Sequence, residues 1–116
     1  MPHPDAIPNA RQAVIHPDKL RKYVLNPSNE IGAHKARVFK SALGFTQENA
    51  EELASQLLSG LPDAPAVARK TSEYGTPYSV DIPVTGPTGA AIVRTGWHVD
   101  TGSEVPRLVS AYVIGG

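Results

Sequence analysis

The sequence contains no cysteine. That excludes a disulfide framework, a thiolate metal site and a cysteine nucleophile. It has a single tryptophan, Trp97, among only 6% aromatic residues. It has no net charge either: eleven Lys and Arg stand against eleven Asp and Glu, so a bulk electrostatic pull on nucleic acid is missing. No run approaches the roughly 18 apolar residues of a membrane span. The opening Met1-Pro2-His3-Pro4-Asp5 lacks the basic region and apolar stretch of a signal peptide. These absences lead to the expectation of a cytoplasmic protein with no membrane partner. Walker, dinucleotide-binding, Gly-x-Ser-x-Gly and His-Glu-x-x-His motifs are absent as well. The four histidines, His3, His16, His34 and His98, show no paired metal-ligand spacing, so no metal and no cofactor is expected.

What is there fits one folded domain: 116 residues, 41% hydrophobic and 19% charged. The eleven prolines and ten glycines fall at turn-like positions without a period. Residues 1–13, with three prolines, read as a loosely held arm, and 14–116 as the domain, with helices in 14–60 and sheet in 66–114. His16-Pro17-Asp18 opens a short helix with Leu20, Tyr23, Val24 and Leu25 on one face. A second helix runs from Ile31 or Gly32 to Leu43, with Val38, Phe39 and Ala42 on one side, Lys35 at its margin and Gly44 as the stop. Thr46 caps a third, in which Ala50, Leu53, Ala54, Leu57 and Leu58 recur with helical spacing through Gln47–Ser59.

The remainder reads as strands: Ala66–Glu73, Pro77–Thr85, and a long hairpin from Ala90 to Tyr112 around the polar loop Asp100–Glu104. Gly86-Pro87-Thr88-Gly89 is the turn before it. Helices followed by strands make an α+β fold, with the helices packed on one face of a four-stranded antiparallel meander. Pairing Thr85 with Ala90 puts Tyr78, Val80, Ile82, Val84, Ala91, Val93, Thr95 and Trp97 on the helix side. Asp81, Ile92, Arg94 and His98 then lie on the open side. Continued alternation buries Val109, Ala111 and Val113 and leaves Leu108, Ser110 and Tyr112 outside, unless a one-residue bulge intervenes.

The open face thus collects Arg94, His98, Ser110 and Tyr112. Metal-independent RNA cleavage needs a base for the ribose 2′-hydroxyl, an acid for the leaving oxygen and a cation for the phosphorane, and these residue types supply them. The same residues also suit an ordinary solvated sheet face. Arg107 reads equally as a second phosphate ligand or as an edge charge that resists strand pairing. Charge is uneven along the chain. Seven basic residues between Arg11 and Lys40 face only Asp18 and Glu30, whereas 41–68 holds no Lys or Arg but Glu48, Glu51, Glu52 and Asp63. A basic edge around Lys35 and an acidic third helix follow.

Several motifs carry a resemblance: Lys19-Leu20-x-x-Tyr23-Val24-Leu25-Asn26-Pro27, Gly32-x-x-Lys35-Ala36-x-x-Phe39, Leu43-Gly44-Phe45, Thr85-Gly86-Pro87-x-Gly89, Val93-Arg94-Thr95-x-Trp97 and Pro106-Arg107-Leu108-Val109-Ser110-Ala111-Tyr112. Together they resemble a bacterial family of small domains of unknown function, found as short proteins and at the ends of large secreted toxin-like proteins. Ser110 stands where Thr is usual, and Val113-Ile114 where Pro is expected. The layout is also similar to the barnase/EndoU/RelE-like ribonucleases, many of them toxins. That second resemblance implies a toxin-type ribonuclease acting on RNA, with Lys35, Arg94, His98, Ser110 and Tyr112 as site residues and a small acidic antitoxin or immunity protein as partner. The alternative is a non-catalytic interaction module, itself immunity- or antitoxin-like, which suits the neutral charge and the acidic third helix.

Overall fold

The computed structural model describes residues 3–29 and 32–115. Short-range polar contacts set the helices. His16 Nδ1 accepts from the Asp18 N–H, and a π-helical turn, Lys19–Val24, follows. It closes with the Leu25 N–H donating to the Leu20 carbonyl at 2.8 Å, a five-residue reach. This wider turn buries Leu20 and Val24 together with Leu25, while Tyr23 is exposed.

Helix α1 is Ala33–Leu43; the expected start at Ile31 lies outside the described residues. Its buried stripe is Ala36, Phe39 and Leu43. The face is therefore rotated from the expected Val38–Phe39–Ala42 side, and Val38 and Ala42 flank it. A single 3₁₀ turn, Gln47–Asn49, leads into α2, Ala50–Gly60. Thr46 caps this join: its Oγ1 accepts from Glu48 N–H, and Asn49 Oδ1 accepts from Thr46 N–H at 2.7 Å. Ala50, Leu53 and Leu57 are the buried positions of α2.

The sheet is antiparallel with order β1-β2-β3-β4: Ala66–Ala68, Gly75–Gly86, Gly89–Asp100 and Arg107–Gly115. It is the expected meander, with helices on its apolar face. β1 ends at Ala68, five residues short of the expected Glu73, because the exposed, polar stretch from Arg69 to Glu73 has no core to face. Since β1 pairs only with Tyr78–Val80, Pro83 borders β3 alone, and its missing N–H falls on an open flank. Gln56 of α2 covers part of that flank, accepting from the Thr85 N–H at 2.9 Å.

Thr85 pairs with Ala90 as the turn demands. Val80, Ile82, Val84, Ala91, Val93, Thr95 and Trp97 accordingly lie buried under the helices. The turn abuts the end of α1: a Cβ at Gly86 would stand 2.0 Å from the Leu43 carbonyl oxygen, so only glycine permits this approach. Trp97 is fully buried, and its Nε1 donates to Thr95 Oγ1 at 2.7 Å, which in turn donates to the Val80 carbonyl at 2.7 Å.

The expected faces of β4 change partway. Gly96 pairs with Ser110 but Trp97 pairs with Leu108, so Val109 is an extra residue, a β-bulge. Leu108 is therefore core, 2% exposed, while Val109 is only half-buried. Beyond the bulge, Ala111 is buried and Ser110 and Tyr112 take the open face, as expected. Residues 3–13 are docked rather than loosely held. Ile7 and Ala10 are buried, His3 N–H donates to the Pro62 carbonyl, and Ala66 N–H donates to the Asp5 carbonyl. Val14 then bridges to Arg107 in parallel, alongside the start of β4.

Candidate functional site

Register alone brings the central charged pair together. Thr85 opposite Ala90 forces Asp81 opposite Arg94, and both project to the open face. The Arg94 guanidinium grips Asp81 through two bonds, Nε to Oδ1 at 2.8 Å and Nη2 to Oδ2 at 3.0 Å. That grip lowers the Asp81 pKa; desolvation of the carboxylate opposes it, and the charges of Arg94 and then Arg69 add smaller downward pulls. Arg94 is pushed up in return, first by Asp81 and then by the Tyr112 phenol. Tyr112 is the cross-strand partner of Arg94 on β4. On its other side Lys35, from α1, holds its Nζ 4.5 Å from the Tyr112 ring centroid, a cation–π contact.

Arg94, Tyr112 and Ser110 border a concavity of about 310 Å³ on the open face, with Arg69 from beyond β1. Gly96 supplies its floor. It faces Ser110 across the strands, and a Cβ there would come within 2.5 Å of Ser110 Oγ. Two guanidinium groups, a phenol and a hydroxyl thus converge on a shallow, solvent-open hollow. This donor set suits an oxyanion such as phosphate, and arginine offers the planar fork for it.

His98 and Arg107 form a separate cluster at the other end of the hairpin. They are cross-strand partners, and Asp100 ties them. Arg107 donates Nε to Asp100 Oδ2 at 2.7 Å and Nη2 to Oδ1 at 3.0 Å, while His98 Nδ1 lies 2.9 Å from Oδ1. Arg94, Ser110 and Tyr112 are therefore brought together at this concavity and Lys35 reaches it only through the Tyr112 ring, whereas His98 and Arg107 do not border it. Sequence reasoning left Asp81, Asp100 and Arg69 out of the site. Asp81 was recoverable from the hairpin register and Asp100 from its two-residue spacing to His98. Arg69 carried no signal, because it lies beyond the short β1. Among the described residues no group of three or more His, Asp or Glu is placed to hold a metal ion, and no helix is long and apolar enough to cross a membrane.

The motifs that knit this site, from Lys19 to Tyr112, lie within a single family span. A family described as a domain of unknown function (DUF6883) matches residues 6–115. The chain belongs to this family. The DUF6883 match covers both clusters and the whole described fold except its first three residues, and it bears out the resemblance to small domains of unknown function. No curated protein and no solved structure matches the chain significantly.

The two carboxylates of this DUF6883 site also set an acid response. Arg94 lowers Asp81, and Arg107, followed by His98, lowers Asp100. A carboxylate whose folded pKa lies below its unfolded one stabilises fully above the ordinary value of 3.8. The gain disappears as pH falls through the lowered value. Thermal melts of Asp100→Asn and Asp81→Asn are expected to lose less Tm than wild type between pH 5 and pH 2. A wild-type-like acid slope in both variants would mean that neither ion pair persists in solution.

Proposed function

We propose that this chain is a toxin-type ribonuclease-like protein that binds RNA on the open face of its sheet and cleaves it without metal in the cytoplasm. One observation carries the reading: Arg94, Tyr112 and Ser110 converge on the Gly96 hollow, with Lys35 held over the Tyr112 ring from the other side. In the proposed reaction the ribose 2′-oxygen gives up its proton and forms a bond to phosphorus. The bond from phosphorus to the 5′-oxygen breaks, and that oxygen takes a proton. The products are a 2′,3′-cyclic phosphate and a 5′-hydroxyl. Arg94 and Lys35 offset the charge that builds on the phosphorane. Tyr112, between them, carries the proton, and Ser110 donates to a phosphate oxygen. Arg107, tied to Asp100, serves as a more distant phosphate contact.

The test is purified protein, free of any bound inhibitor, on total RNA with excess chelator. Cleavage leaving cyclic phosphate ends is expected, and intact RNA overturns the enzyme reading. Binding of RNA is expected to fall steeply with added salt, because phosphate contacts release counterions; a salt-independent complex counts against phosphate recognition.

A second reading, a non-catalytic interaction module such as an immunity or antitoxin-like partner, draws on the same ion pairs. Arg94 and Arg107 are each already matched by a carboxylate, and the chain has zero net charge. Under it, RNA stays intact, and the protein forms a salt-tolerant complex with another protein instead.

A further inference from the structure

Along the free side of β4 runs a second groove, of about 330 Å³, between that strand, the π-helical turn and α1. Two aromatic rings line it: Tyr23, 55% exposed, and Tyr112. Each ring carries a lysine, Lys19 Nζ at 5.3 Å and Lys35 Nζ at 4.5 Å from the centroids. Val24 and Ala111 give it an apolar wall. Ser110 and Tyr112 border this groove and the Arg94 hollow alike, so the two cavities adjoin across β4.

We infer that this groove is a nucleobase subsite, holding one base of a single-stranded RNA next to the phosphate bound at Arg94. The inference rests on the RNA reading above and adds how the substrate is gripped. A nucleotide pairs an anionic phosphate with a flat π face, and the two adjoining cavities offer cations and aromatic rings in that order. An incoming base displaces an ammonium from a tyrosine face. The freed lysine turns to the neighbouring phosphate, so neither group is left without a partner. An extended peptide fits less well. Val14 already takes the start of this strand edge, accepting from Leu108 N–H and donating to the Pro106 carbonyl, and paired lysine–tyrosine contacts have no role in strand addition.

The experiment is fluorescence anisotropy at low salt with a labelled tetranucleotide. Its riboses are 2′-O-methylated so that it cannot be cleaved, and an abasic version is run beside it. Tyr23→Ala is expected to weaken the base-bearing ligand about tenfold, the effect of losing one stacking partner, and to leave the abasic ligand unchanged. Tyr23→Phe is expected to bind as wild type does. Arg94→Ala is expected to weaken both ligands. Because Tyr23 is exposed, circular dichroism of its variants should match wild type. Binding that is indifferent to Tyr23, or equal losses for both ligands, overturns the subsite while leaving RNA recognition standing. Failure of the wild type to bind either ligand overturns the RNA reading and the subsite with it. Peptide binding in this groove, with no oligonucleotide binding, has the same consequence.

Discussion

Trp97→Ala is expected to cost about 3–5 kcal/mol of stability, as truncation of a large core aromatic does. For a chain of this size that is a fall of roughly 10–20 °C in Tm. The expectation rests on more than size. Trp97 is fully buried under the helices, and its indole N–H is the first link of a chain through Thr95 Oγ1 to the Val80 carbonyl on the neighbouring strand. Removing the ring opens a cavity and takes the donor from a buried hydroxyl at once. Trp97→Phe separates the two effects, because it keeps most of the volume and loses only the N–H. It should fall between wild type and Ala. An unchanged Tm in Trp97→Ala would mean that the ring faces solvent and that the two sides of the sheet are exchanged.

That expectation could be reached from the chain alone, and the reason is local. Gly86-Pro87-Thr88-Gly89 leaves few ways to close the hairpin. Once Thr85 faces Ala90, every side chain from Tyr78 to His98 is assigned to a face by the period of two. The Asp81–Arg94 pair follows from the same register. The fourth strand was different. Its pairing with β3 is set across the longer loop from Thr101 to Pro106, and the extra residue at Val109 is decided by competition between Leu108 and Val109 for the core beside Trp97. Both are apolar, so nothing in the pattern distinguishes them. Leu108 wins and Val109 bulges, and the bulge returns Ser110 and Tyr112 to the open face next to Gly96 and Arg94. The π-helical turn was also hidden, since it depends on burying Leu20, Val24 and Leu25 together against the sheet. Lys35 was legible as a marginal helix residue. Its place over Tyr112 was not, because that contact joins elements far apart in sequence.

Arg94→Ala is expected to abolish detectable RNA cleavage, a loss of at least about 10²–10³ in rate, the scale for removing a group that stabilises developing charge. Circular dichroism should not change, because Arg94 and Asp81 are each more than 40% exposed and their pairing supports no core contact. A purely structural Arg94 makes a different pattern. It predicts that Arg94→Ala and Asp81→Asn behave alike, both lowering Tm slightly and both cleaving normally. A positioning role for Asp81 separates them. Asp81→Asn removes a negative charge from the RNA-binding face, so RNA should bind more tightly, while the loosened guanidinium should slow cleavage. Arg94→Lys keeps the charge but not the fork, and should bind RNA while cleaving poorly. His98→Ala should reduce cleavage less than Arg94→Ala, since His98 sits with Asp100 and Arg107 and does not border the Gly96 hollow. Wild-type cleavage by Arg94→Ala would remove the Gly96 hollow as the reaction centre. The His98–Asp100–Arg107 cluster would then be the next place on this face to look for it, because there an imidazole is held by a carboxylate beside a second guanidinium.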